Sequence, residues 1–531
     1  MPFKTTTTRM LALLLVFALS LGLSGCGSLA RILNQPDPPR ADTNPVELTK
    51  LPRATDEYKS IEVFHGSWDE PQYSPDQKGY FYEERGWIYL HIEGSGAERG
   101  FQYGWLLADY LQLNINHKTD LLAELYALDW GFLRANADRM WANAVSDEIK
   151  AELEGMVQGA TERGATFDYL DLLVLNGYEE LLYCWFPLVQ DEYYQQLARD
   201  GSGSQRDSRP VQPHIGYPKQ ASALIATGDA TEEGDIVIAH NTLASYTDAA
   251  FANVLIDLDP LEGQRFTLQA EPGCIASFGE VYESASLLIA NTRISDFTAY
   301  SQTGTPEFLR IRQAVQYAKT LDEFAEMLTH SNNGGLASTW LVGELKTGSI
   351  MKLELGLAFI NKETLTNGCF ASSGAAEDRR ILTYETSEGN FIDARSGAGS
   401  RSVRLEDLSD AYTDALNEDS IKIIIADHYD QYLSKVAASS RSVCAHFEAD
   451  DARYSADLLS TAYLPYGTVD AKVMSTGLAK EHTILARWGS ACGRAFDATG
   501  YLEKNPQYRA LEAFLYDRPS QFWNEFYPKE S

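Results

Sequence analysis

The sequence predicts an α+β protein of 531 residues. Three observations carry that class. Residues 94–180 read as capped, amphipathic helices. Residues 219–243, KQASALIATGDATEEGDIVIAHNTL, read as two apolar strands around a polar turn. Beyond Phe251 the chain mixes short strand-like runs with further capped helices.

Taken in order, the chain opens with Lys4 and Arg9 ahead of an apolar run, Leu11 to Leu23. The run is short for a bilayer span and reads as a secretory leader, 1–25. It ends Leu23-Ser24-Gly25-Cys26, which resembles a bacterial lipoprotein box. Cys26 is therefore the expected lipid attachment site, tethering the protein outside the cytoplasm of a bacterial envelope without crossing the membrane. Residues 26–53 are rich in Pro, Asn and Asp and read as a flexible tether.

The formal net charge is −31. So acidic a chain argues against nucleic-acid binding and against electrostatic adhesion to anionic lipid. Hydrophobic content of 44% suffices for a large core. Cys184, Cys274, Cys369, Cys444 and Cys492 follow Cys26, an odd number that leaves at least one thiol over. No Cys-x-x-Cys pair or Cys/His cluster has zinc spacing, so no structural metal is expected. Cys184 sits among large apolar residues with no base nearby and reads as an inert buried thiol.

Strands are expected at Gly79 to Glu83 and Trp87 to Ile92. The glycine-rich stretch Gly94 to Gly104 leads into a helix to about Ile115. Its spacing fits neither phosphate-loop pattern. Ser146 caps the next helix, with Asp147 and Glu148 in its first turn. Another helix runs from about Tyr169 and ends Asn176-Gly177-Tyr178-Glu179-Glu180.

In the hairpin, Ser222 to Thr227 and Ile236 to His240 are nearly continuous in apolar residues, as in strands covered on both faces. The second strand is expected to end on His240-Asn241-Thr242 at its rim. Upstream, residues 200–220 carry many turn-formers and read as an exposed linker. Further on, Phe266 to Leu268 and Ser284 to Ala290 are strand candidates. Thr305 and Pro306 read as N-cap and first residue of a helix. Thr320 to Glu323 reads as a capping box. Asn332-Asn333-Gly334-Gly335 precedes a hairpin that turns at Lys346-Thr347-Gly348.

These motifs together resemble the phospholipase B-like proteins, within the wider group of autoproteolytic, penicillin-acyltransferase-like hydrolases with an N-terminal nucleophile. The resemblance rests on Ser222-Ala223-Leu224, Ala239-His240-Asn241-Thr242, the Asn332 turn with its Trp340 strand, Gly467 to Val473, and Cys492 to Asp497. It extends from about Gly86 to about Asp517. It implies a four-layer αββα sandwich in which 54–199 and 221–531 form one hydrolase unit. It implies hydrolysis or transfer of an acyl group at an amide or ester bond, phospholipid being one substrate class, with no cofactor.

In such enzymes a cysteine at the start of the first strand is freed by self-cleavage and attacks a carbonyl, and its own α-amine takes the proton. Ala221 stands where the family has that cysteine. By resemblance, Asn332 or Asn333 would meet the oxyanion, and His240, Asn241 and Thr242 would position nucleophile or substrate. The Asn176 to Glu180 segment resembles one lining the site; a capping and turn role for Asn176 and Gly177 explains it equally well. Ser222 offers a hydroxyl, but neighbouring strand residues face opposite sides. With Ala221 the chain reads either as a hydrolase scaffold lacking its attacking atom or as a surface binding protein that keeps the acyl pocket. A Ser-His-Asp hydrolase is disfavoured, because the chain has no Gly-x-Ser-x-Gly.

Overall fold

The central hairpin consists of strands Gln220–Thr227 and Val237–Ser245. All of their residues except Gln220 and Ser245 are buried, as expected of strands covered on both faces. The second strand does not stop at His240. It continues to Ser245 because Tyr466–Ser475 pairs with it along its whole length, Tyr466 opposite Ser245 and Ser475 opposite Val237. His240, Asn241 and Thr242 are therefore mid-strand residues, not a rim.

A computed structural model describes residues 63–64, 70–199, 220–276, 281–387, 393–450 and 463–529. The expected leader, tether, Cys26 and linker residues 200–219 lie outside this set. The protein is α+β, with two large sheets and a two-stranded ribbon. The seven-stranded sheet runs, edge to edge, Val63–Phe64, Trp523–Phe526, Ile484–Trp488, Tyr466–Ser475, Val237–Ser245, Gln220–Thr227 and Gly368–Ser372. The ten-stranded sheet runs Ile360–Leu365, Ser349–Leu355, Ser338–Glu344, Leu287–Arg293, Val281–Ser284, Phe266–Ala270, Val254–Pro260, Trp87–Gly94, Tyr80–Glu84 and Gln72–Tyr73. Trp87–Gly94 pairs in parallel with Val254–Pro260, so the segments on either side of the linker share one sheet.

Alternation along the strands sorts the core. Ala223, Ile225, Ile236 and Ile238 meet Leu255, Leu288, Ala290, Leu341 and Ile350 between the two sheets. Their neighbours Leu224, Ala226, Val237 and Ala239 face outward, onto Leu405, Leu408, Ile421 and Ile424 of helices Gly397–Ala411 and Glu418–Ile424. The far face of the ten-stranded sheet, with Ile256, Leu268, Ile289 and Trp340, is covered by Leu111, Leu153, Met156, Leu173, Ile311 and Phe324 from the other helices. Each such aliphatic side chain contributes roughly 2 kcal/mol by leaving water.

Several local expectations meet their physical counterparts. Ser146 accepts from Ile149 N–H and caps Asp147–Glu162. The glycine-rich stretch is helix Gly96–Leu106, closed by a Ser95/Glu98 capping box. Its glycines at 96, 100 and 104 lie against the backbone of Asp147–Glu162 at Glu148, Glu152 and Met156; a Cβ at Gly104 would sit 1.9 Å from the Met156 carbonyl oxygen. Pro306 is itself the N-cap of Glu307–Tyr317, one place later than expected. Thr320 accepts from Glu323 N–H, but the Glu323 carboxylate turns to Lys319 N–H, so the box is half made. The expected strand Ser284 to Ala290 is two strands, Val281–Ser284 and Leu287–Arg293, because Ser284 Oγ accepts from the Ser286 and Leu287 N–H groups and turns the chain.

Candidate functional site

Ala221 and Ser222 begin the first hairpin strand and face opposite ways. Ala223 and Ile225 fix the inner side of this strand, and strand alternation puts Ala221 on that side. Ser222 points outward, where its Oγ reaches the Val443 carbonyl at 3.4 Å and is wholly buried. Its N–H donates to Asn241 Oδ1 at 3.0 Å. Asn241 also faces outward, its Nδ2 donating to the carbonyls of Ile425 (3.0 Å) and Val443 (3.1 Å). The structure thus brings Ser222 and Asn241 together, on the side away from Ala221.

Thr242 and His240 share the inner side with Ala221. Thr242 is directly opposite Ala221 in the ladder, a separation of about 5 Å between Cβ atoms. Thr242 Oγ1 accepts from Lys472 Nζ at 2.8 Å, and Lys472 is paired with Asp470. Asp470 also accepts from Thr242 N–H (3.2 Å) and from Gln269 Nε2 (2.7 Å), which reaches across from the other sheet. A bulge between Thr468 and Asp470 adjusts the register at this point. His240 Nε2 lies 2.9 Å from the Asn291 carbonyl oxygen on the facing sheet.

At the strand's start, Arg401 Nη2 donates to Gln220 Oε1 at 2.6 Å, and Nη1 to the Ser440 carbonyl at 2.7 Å. Arg401 is fully buried and burial pushes its pKa down to about 10. Tyr466 lies in the same neighbourhood. Burial pushes its hydroxyl up; Arg401 opposes the shift and Glu179 adds to it. Nearby, buried Lys118 pairs with Glu271 at 3.0 Å and lies over the Tyr178 ring.

Asn332 and Asn333 make a tight structural turn. Asn332 Nδ2 donates to the Gly356 carbonyl (2.6 Å), and Asn333 Nδ2 to Glu180 Oε1 (2.5 Å). Glu180 is buried, which raises its carboxyl, and it also accepts from Glu307 N–H and Tyr300 OH. Both amide nitrogens are thus engaged by groups from outside the turn. Glu180 opens a π-helical turn, Glu180–Trp185. Asn176 bridges the Leu172 and Gly273 carbonyls and accepts from Ile275 N–H, while Gly177 is a helix C-cap. Cys184 accepts from Leu336 N–H, and burial pushes its thiol up to about 12, in keeping with an inert group. A cleft of about 600 Å³ lies beyond the edge strand Gly368–Ser372, lined by Phe370, Cys369, Lys352 and Glu406; none of the expected site residues lines it.

Spacing along the chain gave no sign of one cluster that the fold assembles. His428, Cys444, His446 and Cys492 are all buried, and their potential ligand atoms lie within 4.8 Å of one another. The spacing His-x15-Cys-x-His-x45-Cys hid the cluster, because the fold, not the local chain, assembles it. His446 Nε2 is 3.4 Å from Cys444 Sγ and 3.5 Å from Cys492 Sγ. Burial opposes ionisation of Cys492, yet the Cys444 thiol and His446 hold it well below the ordinary value; Cys444 is pushed up by burial and by Cys492. All five cysteines within the described residues are free thiols. Arg401, Tyr466 and the Asp470–Lys472 pair were likewise not singled out from the sequence, although Asp470 and Lys472 fall inside the Gly467 to Val473 motif.

No known family profile matches the chain. An uncharacterized protein of Archaeoglobus fulgidus is 25% identical over 280 residues, covering 51% of this chain. The chain spans 44% of that protein's length, so the likeness concerns a part of each.

Proposed function

We propose that this chain is an exported, lipid-anchored scaffold of the phospholipase B-like, N-terminal-nucleophile type, a four-layer αββα sandwich with position 221 in the nucleophile's place. With Ala221 there, it holds a small acyl amide or acyl ester without turning it over. The observation that carries this reading is the setting of Ala221. It starts a buried strand, faces the gap between the sheets, and stands opposite a threonine that holds the Lys472 ammonium. A thiol at that place would stand across the ladder from Thr242, whose hydroxyl accepts from the Lys472 of the buried Asp470–Lys472 pair. Ser222 is no substitute, because its hydroxyl is on the other face.

The test is Ala221→Cys. The introduced thiol would attack the Gln220 carbonyl, and the peptide nitrogen would leave as a protonated α-amine. Water would then cleave the thioester, giving a Gln220 carboxylate and a free thiol beside its own amine base. Two fragments, residues up to 220 and residues 221–531, should appear and stay associated through the shared sheets. Acyl ester and amide substrates should then be turned over. An uncut, inert Ala221→Cys protein would overturn the assignment of position 221. Lipid attachment is checked by Cys26→Ser, which should release the protein from the membrane fraction.

A further inference from the structure

We propose that His428, Cys444, His446 and Cys492 form a closed, tetrahedral zinc site that pins the segment 425–446 onto the back of the central hairpin. The inference stands apart from the reading of position 221.

The geometry is that of a tetrahedral ligand set. Zinc sits about 2.3 Å from a thiolate sulfur and about 2.0–2.1 Å from an imidazole nitrogen, so a tetrahedral S–N edge is roughly 3.5 Å. The two S–N edges at His446 are 3.4 and 3.5 Å. The rings of His428 and His446 meet edge to face, 5.1 Å between centroids at 73°, so that both imidazoles border the thiol pair.

The surroundings fit as well. His446 Nδ1 lies 2.8 Å from Glu448 Oε1, and Glu448 Oε2 accepts from Tyr246 OH at 2.9 Å. A carboxylate on Nδ1 fixes the tautomer that leaves the Nε2 lone pair for a metal. Cys492 Sγ accepts from Arg494 N–H at 3.4 Å, a donor that supports a thiolate. Two thiolates and two imidazoles select zinc over calcium or magnesium. All four ligand residues are buried, which leaves no open position for catalysis and makes the site structural.

The fold gives such a staple a task. Between helix Glu418–Ile424 and strand Tyr466–Ser475 the described chain has only two two-residue strands and one turn of 3-10 helix. So long an irregular stretch needs tertiary anchoring. His428, Cys444 and His446 come from this stretch, and Cys492 from the loop after Ile484–Trp488. An ion would therefore tie the stretch to the seven-stranded sheet.

The test uses the whole protein purified under reducing conditions with zinc supplied, and reads metal content by elemental mass spectrometry. One zinc per chain is expected. Replacement by cobalt should give intense tetrahedral d–d bands and thiolate-to-cobalt charge transfer. Cys492→Ser and His446→Ala should each lose the metal or lose it to weak chelators at least tenfold faster. Cys369→Ser, altering a cysteine outside the cluster, should keep it. A wild-type protein that folds with less than about a tenth of an ion per chain and shows no cobalt spectrum overturns the proposal. So does a Cys444–Cys492 disulfide found by peptide mapping that takes up no metal after reduction.

Discussion

Asn241 Nδ2 donates to the Val443 carbonyl at 3.1 Å, one residue before Cys444. Through this bond the second hairpin strand holds the segment that carries three of the four cluster residues. Asn241 Oδ1 takes the Ser222 N–H at the same time. One amide side chain thus joins two strands and two loop carbonyls on the back of position 221. Asn241→Ala would leave Ser222 N–H and the Ile425 and Val443 carbonyls with fewer partners in a dry interior. Each such group costs ~1–3 kcal/mol. We expect a loss of roughly 3–5 kcal/mol in urea unfolding at unchanged m-value. Ser222→Ala, which removes one long bond, should cost about 1 kcal/mol and leave self-processing of the Ala221→Cys form intact. Abolished processing would make Ser222 more than a structural residue.

Gly104 predicts a steric effect. Its missing Cβ lets helix Gly96–Leu106 approach the backbone of Asp147–Glu162, and Gly104→Ala would put carbon 1.9 Å from the Met156 oxygen. The helices must separate, at a cost of about 3 kcal/mol or more. Gly477→Ala is the control, since the nearest atom to its Cβ is Ser475 Oγ at 3.5 Å. It should be neutral or slightly stabilising through helix propensity. Thermal midpoints of the two variants decide the matter, and equal midpoints would remove the close-approach argument.

Glu283 predicts a pH dependence. Burial, with help from Asp257, raises its carboxyl from 4.5 to about 8, and neither carboxyl oxygen has a hydrogen-bond partner among the described residues. In the unfolded chain the group ionises near its ordinary value. Between pH 4.5 and 8 the folded state therefore holds a proton that the unfolded state has lost. Stability must fall as pH rises through that window, by at most roughly 4–5 kcal/mol. Glu283→Gln should match the wild type near pH 4.5 and be the more stable protein at pH 8. Parallel stability curves across the window would show that Glu283 does not titrate so high.

The sequence exposed these features unevenly, for physical reasons. Ser146 and the hairpin were legible because caps, alternation and turn residues are local signals. The extent of Val237–Ser245 was not, since it depends on a partner strand more than 200 residues away. Opposite faces for Ala221 and Ser222 followed from strand periodicity alone. The engagement of Asn333 by Glu180 did not, because it joins residues that are remote in the chain. The cysteine–histidine cluster was hidden for the same reason, with only Cys444-x-His446 as a local trace.

The last prediction concerns the residue before the proposed cleavage point. Gln220 Oε1 accepts from Arg401 Nη2 at 2.6 Å, and Arg401 is anchored by the Ser440 and Ser373 carbonyls. No salt bridge to a carboxylate is present at this buried guanidinium among the described residues, and its burial lowers its pKa to about 10. The clamp therefore fixes the side chain on the acyl side of the bond that the Ala221→Cys thiol would attack. Attack needs the carbonyl held within about 3–3.5 Å of the sulfur and aligned with it, and a 1 Å misplacement costs up to about 100-fold. In the Ala221→Cys background, Gln220→Ala should slow self-cleavage by ~10-fold or more while leaving the thermal midpoint within a few degrees. Unchanged cleavage in the Gln220→Ala form, measured over a time course by gel, would mean that the clamp holds the fold and not the scissile bond.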